Sequence, residues 1–333
     1  MSILDESSLE TFEERGSRLL VSHAKTDHDQ NHLPVWFNLE KFCRIKPLVN
    51  QYFFSIFFTH LSGLLILIFV RSIYQTLSLT GKSKNLSATF YRYLHTCLHV
   101  KKWYEGKIWI KNDDAYESLQ MVKTMHQTVS NIQNKGKNDG ENVMAISIRD
   151  MTLTQFAFAG LFVLYPHKYG FSTKKEDIET MIYFWSVIGY MLGIDDDYNL
   201  FIGDYETIRQ RCHRILDQYF RPSLLAYERD SVQMADQIIQ STNQFIPGLR
   251  YKSYMKFIWK SLAMDKEWPS KPLNREQQFW YFAKKMIIEK FYYFWAVRFA
   301  LNQLLRFTLF TMQFSFLQRL KTNQLAHIDQ QIQ

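Results

Sequence analysis

The stretch Ser147–Asn199 reads SIRDMTLTQFAFAGLFVLYPHKYGFSTKKEDIETMIYFWSVIGYMLGIDDDYN. It holds two apolar helical segments, a turn and an acidic loop, and the rest of the chain is organised around it. Ser147 and Asp150 have the spacing that lets each side chain take an orphan amide at a helix start. Met151–Leu164 then has almost no polar face, and a helix that is apolar all round is a central one. Thr152, Thr154 and Gln155 lie inside this run and need partners if buried. A second helix is expected from Thr173, with Glu176 completing the same capping pattern. Its stripe, Ile178, Met181, Ile182, Trp185, Ile188 and Leu192, has helical spacing. Tyr183, Ser186 and Tyr190 form a more polar strip. Gly193 ends this helix where a left-handed cap is preferred.

The composition around this stretch agrees with helices. The 333 residues are enough for one large helical domain or two small ones. Hydrophobic residues make up 47% and aromatics 16%, with 27 Phe but only 12 Gly and 7 Pro. Asp139-Gly140 lies in a polar linker rather than between alternating runs, so it signals no hairpin. An all-α protein is expected. The net charge of +8 and pI of about 9.1 favour an anionic membrane surface or an acidic cofactor. The basic residues are scattered and carry no nucleic-acid-binding motif, so no nucleic acid is expected as partner. Cys43, Cys97 and Cys212 have neither zinc spacing nor a disulfide framework. From the polar, acidic N-terminus MSILDESSLETFEERGS no cleavable signal peptide is expected.

Upstream, Phe53–Val70 reads FFSIFFTHLSGLLILIFV and has no formal charge. It is just long enough to span a bilayer. Ser55, Thr59, His60, Ser62 and Gly63 interrupt it, as they would in a buried core helix, and both readings stand. Gly81 closes the helix that follows. In residues 86–105, His95 and His99 are four apart and share a face. The glutamate of the zinc-protease motif is missing between them, and amphipathic packing is the simpler account. In residues 114–131, Leu119, Val122, His126 and Val129 share one stripe, so His126 points where the apolar side chains point. A lone histidine there is more often a satisfied core residue than a ligand. Lys123 lies on the next strip.

Residues 131–142 form a polar surface loop. The cluster Asp195, Asp196, Asp197 with Asn199 offers oxygen donors to a divalent metal. Without calcium-loop spacing, capping of the next helix and surface solvation are the plainer roles. Further helices are expected near Tyr205–Phe220, broken before Pro222, and near Leu224–Ile246 and Tyr251–Met264. Arg275–Leu320 is long, aromatic and amphipathic, suited to a membrane interface or to a terminal helix pair packed on the domain. The division expected is a polar segment at 1–45, a helical domain at 46–265 and a C-terminal aromatic region at 266–333.

The runs FFSIFFTHLSGLLILIFV, LTGKS, YRYLHTCLHVKKWYEG, VKTMHQTV, RDMTLTQFAF and FWSVIGYMLGIDDDYNL follow one another in a telling order. This order resembles the catalytic domain shared by the ER-bound mpaB-type oxygenases and the rubber oxygenases (latex-clearing proteins), especially animal-type members. The resemblance covers roughly residues 50–265. It implies an all-α fold, a large single helical domain around a buried apolar, haem-sized pocket. It also implies haem b as cofactor, and O₂ and an apolar, isoprenoid-like small molecule as substrates. A membrane location, at the endoplasmic reticulum, is implied as well.

Lys123 takes the place of an arginine often found in that family, and His126 the position three residues on. A cation there steadies bound oxygen or a propionate, though lysine lacks the planar fork. The family's axial histidine aligns with RDMTLTQFAF, which offers Gln155 and Phe156 instead. Haem iron needs an imidazole, thiolate or phenolate donor, which leaves His126, Tyr190 and His60. The resemblance thus assigns His126 as metal ligand, Tyr190 and Arg149 as further cofactor contacts, and Lys123, Asp150 and Gln155 to the reacting face. Asp150 is a general base or a capping carboxylate. The missing histidine keeps a second reading open, a non-catalytic membrane-associated protein that retains the fold.

Overall fold

The computed structural model describes residues 4, 9–20, 33–138, 142–243, 246, 248–269 and 271–332. Expectations that fall on residues 1–3, 5–8, 21–32 and 139–141 lie outside these. The described residues form helices, with no strand among them and one isolated antiparallel bridge between Leu20 and Ser147. The first helices are α1 (Leu9–Arg18), α2 (Leu39–Cys43), α3 (Ile45–Leu67), α4 (Arg71–Leu79), α5 (Leu86–Glu105) and α6 (Asp114–Gln133). Next come α7 (Ile148–Leu164), α8 (Lys175–Met191), α9 (Tyr205–Ile215), α10 (Arg221–Ala226) and α11 (Arg229–Asn243). The chain ends in α12 (Tyr251–Ser261), α13 (Arg275–Glu289) and α14 (Trp295–Ile332).

Side-chain caps set the start of many of these helices. Ser147 Oγ accepts the Asp150 amide at 3.2 Å and starts α7. Asn85, Asp113 and Asp204 do the same for α5, α6 and α9. Asn274 and Gln277 form a reciprocal capping box on α13. Gly193, at φ +97°, closes α8 in a Schellman arrangement: its N–H bonds Tyr190 O and the Ile194 N–H bonds Gly189 O.

Three sequence expectations need correction. Helix α8 starts at Lys175, not Thr173, because Ser172 Oγ takes the Lys174 amide and no side chain caps the helix. The acidic cluster at 195–197 does not cap α9; Asp204 does. The chain is not broken before Pro222 either. A π-helical turn at Leu216–Phe220 carries it into α10, where Pro222 sits in the first turn and needs no amide partner. The break comes later, at Tyr227, which is left-handed at φ 45°.

Helices α3 and α7 form the centre. At Gly63 they meet backbone to backbone, and a Cβ there would lie 1.7 Å from Ala157 O. By length and composition the helical run Leu39–Leu67 could cross a membrane, but 72% of its most apolar window is buried by other helices. It is the core helix of this fold. Helix α3 is kinked at Tyr52 (φ −118°, ψ 25°). The amide this releases, Phe54 N–H, donates to Asn302 Oδ1 at 2.8 Å. Tyr292 Oη also donates to Asn302 Oδ1, at 2.9 Å, and Asn302 Nδ2 donates to Gln51 O at 2.9 Å. Buried Asn302 therefore satisfies the kink and ties α14 to α3. That tie places α14 along the wall of the site described next.

Candidate functional site

Between α3, α5, α6, α7, α8, α13 and α14 lies a cavity of about 750 Å³, within the size range of small-molecule and cofactor sites. Its wall is mostly apolar: Phe57 and Leu64 from α3, Val100 and Trp103 from α5, Phe158 from α7 and Leu305 from α14. The polar side chains on it include His60, Arg92, His126, Asp150, Gln155 and Lys284.

His60 is enclosed by aromatic rings. Tyr104 stacks on it with the ring planes 3° apart, and Phe57, Phe158, Phe162 and Trp185 meet it edge-on. Its Nε2 bonds Tyr104 Oη at 2.9 Å, which in turn accepts from Trp185 Nε1 at 2.9 Å. Nδ1 is buried without a hydrogen-bond partner. Burial pulls the ring from the usual 6.5 to about 3, offset slightly by the Phe158 backbone. The folded imidazole thus stays neutral where the unfolded one takes up a proton. Stability from this group is complete above about pH 6.5 and falls by about 1.4 kcal/mol per unit from there towards pH 3. Denaturation of haem-free protein at pH 4.5 should show stability about 2–3 kcal/mol below that at pH 7.5. The His60→Phe variant should have a visibly shallower slope; an equal slope in both proteins would refute this origin.

Gln155, expected at the reacting face, is fully committed. Its Nε2 donates to Trp185 O at 3.0 Å and to Asn199 Oδ1 at 2.8 Å, and its Oε1 accepts the Leu200 amide at 2.9 Å. Asn199 Nδ2 donates to Ser186 O at 2.8 Å. Gln155 and Asn199 are therefore a buried clamp joining α7, α8 and the loop after it. Among the described residues no group of three or more His, Cys, Asp or Glu could hold a metal ion. His95 and His99 line the cavity, and His99 Nδ1 bonds Ser118 Oγ at 2.7 Å.

Asp150 reaches the cavity, but Arg149 does not. Arg149 is buried against Glu13 and Asp150, with Nη2 3.2 Å from Asp150 Oδ1. Ser72 Oγ donates to the same Oδ1 at 2.8 Å. Oδ2 is buried with no hydrogen-bond partner. Burial raises the Asp150 pKa, and the Arg149 guanidinium opposes it. The Asp150 carboxylate does not reach back to the Ser147 amide; only the Ser147 half of the capping pattern forms.

His126 stands on the cavity wall from α6. Lys123, one turn back, is half-buried and desolvated but is not on that wall. Tyr190 packs edge-on against Trp36 with centroids 6.0 Å apart, away from the cavity face of α8 that Trp185, Ile188 and Gly189 form. The structure therefore brings His126, Asp150 and Gln155 together at one cavity and leaves Lys123, Arg149 and Tyr190 outside it. Lys284 was missed. Its signal was present: it interrupts the stripe Trp280, Ile287, Ile288 at helical spacing.

The family model described as ER-bound oxygenase mpaB/B'/rubber oxygenase, catalytic domain, matches residues 54–286. The solved structure of latex clearing protein LCP in the closed state superposes with a TM-score of 0.57 at 14% identity, covering 86% of this chain and 77% of that one. At that identity the match shows a shared all-α fold. No curated protein matches the chain.

Proposed function

The chain belongs to the ER-bound oxygenase mpaB/B'/rubber oxygenase catalytic-domain family, and from that premise we propose that it is a haem-dependent oxygenase acting on an apolar, isoprenoid-like substrate at a membrane. The observation that carries the reading is the 750 Å³ apolar cavity with imidazoles on its wall, lined mostly by the family-matched segment and on one side by α14. The residues present fit a haem. His126 would supply a donor from α6, and His60 is a second imidazole on the same wall. Arg92 is fixed by Nη1 bonds to Leu77 O, Thr80 Oγ1 and Ser83 Oγ, and lines the same cavity as a cation for a propionate. When bound, haem supplies the iron that activates O₂. The chain's own part is different. Its apolar wall binds hydrocarbon by removing it from water and keeps water from the reacting atoms. Asp150, with Oδ2 uncommitted and its pKa raised, can hold or release a proton at the cavity edge.

Membrane association rests on a separate feature. Phe279 and Phe282 of α13 and Trp295, Phe299, Phe307 and Phe310 of α14 are all exposed. The α14 residues share one helical stripe, and Lys290 and Arg298 lie beside it. An aromatic face with flanking cations suits an anionic bilayer interface.

Protein purified after expression with haem supply should show a Soret band with about one haem per chain. His126→Ala should abolish the band, and Tyr190→Phe should leave it. Loss on His60→Gln instead would move the ligand to α3. Wild-type protein that stays colourless and binds no iron would sink the oxygenase reading and leave the fold without its chemistry. The same preparation should sediment with anionic vesicles, and serine at Phe299, Phe307 and Phe310 should release it; a wild type that stays in the supernatant would count against the membrane part.

A further inference from the structure

One cation on the cavity wall has no part in the reading above. Lys284 lies on α13, one turn after Trp280 and one before Ile288, and all three line the cavity. Its Nζ is buried and makes no hydrogen bond. Below it is the face of the Tyr254 ring, 4.8 Å from Nζ to centroid. The Tyr254 hydroxyl is turned away, donating to Phe58 O and bonded to Ser62 Oγ. The carboxylates of the same helix are committed elsewhere: Glu289 to Lys168 at 3.7 Å and Glu276 to Arg250 at 2.8 Å. Burial alone draws the amine from 10.5 to about 7.

A buried ammonium without a counter-charge is costly, and a buried amine with no hydrogen bond loses its hydration for nothing. A ligand that brings one negative charge on a hydrocarbon chain removes both penalties. A phosphate does not fit, since a dianion needs several donors and Lys284 is alone above a ring. We propose that Lys284 seats the carboxylate head of an apolar acid, so that the cavity takes carboxylic acids with hydrocarbon tails in preference to neutral hydrocarbons or esters. The proposal rests on the cavity being the substrate site and names the substrate class for it. The other carboxylate that could reach Lys284 is a haem propionate, and the test separates the two.

Dodecanoic acid and methyl dodecanoate are titrated calorimetrically into the full chain, haem-free and haem-loaded, in two buffers of different ionisation enthalpy. The acid should bind at least tenfold more tightly than the ester. Its binding should take up about 0.9 proton at pH 8 and about 0.1 at pH 6, because pairing raises an amine that starts near 7. Lys284→Met should erase both the preference and the uptake while leaving ester affinity unchanged. Lys284→Arg should restore the preference without uptake, because a guanidinium is always charged. Equal binding of acid and ester by the wild type, or uptake that persists in Lys284→Met, would overturn the proposal. So would a Lys284→Met protein that loses its haem but binds the acid as before, since the carboxylate would then be the propionate. A colourless wild type that still prefers the acid would end the oxygenase reading and leave the Lys284 assignment in place.

Discussion

Gly63→Ala should cost about 4 kcal/mol or more and yield a chain recovered unfolded or aggregated. The added Cβ would meet Ala157 O at 1.7 Å, Ala157 C at 2.6 Å and Ala157 Cα at 3.1 Å. All three are backbone atoms in the middle of α7, so no side chain can turn aside. Relief requires α3 and α7 to move apart, and the interior around them is closely packed, with Ile56, Phe162 and Leu65 fully buried. Separation would also widen the cavity, because Leu61 and Leu64 line it from α3 and Phe158 lines it from α7. Circular dichroism and urea denaturation decide the matter. A soluble Gly63→Ala protein within about 1 kcal/mol of the wild type would show that the two helices do not meet at this point.

Gln155→Leu should cost about 3–5 kcal/mol. Leucine fills the space but leaves Trp185 O, Asn199 Oδ1 and the Leu200 amide without Gln155. The Leu200 amide is stranded at a desolvation penalty of about 1–3 kcal/mol beyond the lost bonds, while Trp185 O keeps the helical ladder of α8 and Asn199 Oδ1 keeps the Phe201 amide. The network is local, so hydrogen exchange should show it directly, with Leu200 protection falling well before that of mid-α7 amides. A loss below about 1 kcal/mol with unchanged Leu200 protection would mean that the clamp contributes little. Gln155→Glu should do no better, because a carboxylate offers no donor to Trp185 O or Asn199 Oδ1.

Local signals in the chain were legible. The Ser147 cap, helices α5 and α6 over nearly their whole length, the all-round apolar α7 and the Gly193 terminator each depend on backbone amides and side-chain spacing within one or two turns. So was the need of Thr152, Thr154 and Gln155 for partners. Thr152 Oγ1 donates to Ile148 O and Tyr198 O, Thr154 Oγ1 to Asp150 O, and Gln155 forms its clamp. The ordered family runs announced an all-α oxygenase relative, and the family match and fold agree.

The site was only partly legible. Tyr190 and Trp185 share a helix and a residue class, yet Trp185 lines the cavity and Tyr190 packs on Trp36. Lys123 and His126 are one turn apart, and only His126 reaches the wall. Periodicity says that two faces exist; it does not say which neighbour each face meets. Asp195–Asp197 were expected to cap the next helix, and the loop path instead brings Asp204 to the start of α9.

By itself, then, the sequence determined that the chain is mainly helical, where several of the helices start and stop, and the family. It did so because those properties come from hydrogen bonds and hydrophobic periods over a few residues. The tertiary structure alone decided that the apolar run at Phe53–Val70 is a core helix. A bilayer and a protein interior offer the same apolar surroundings, and only contacts such as Gly63 with Ala157 and Phe54 with Asn302 tell them apart. It also decided that Gln155 is a clamp and that Lys284 stands unpaired on the cavity wall. Those outcomes depend on groups many helices away in the chain, which no local pattern records.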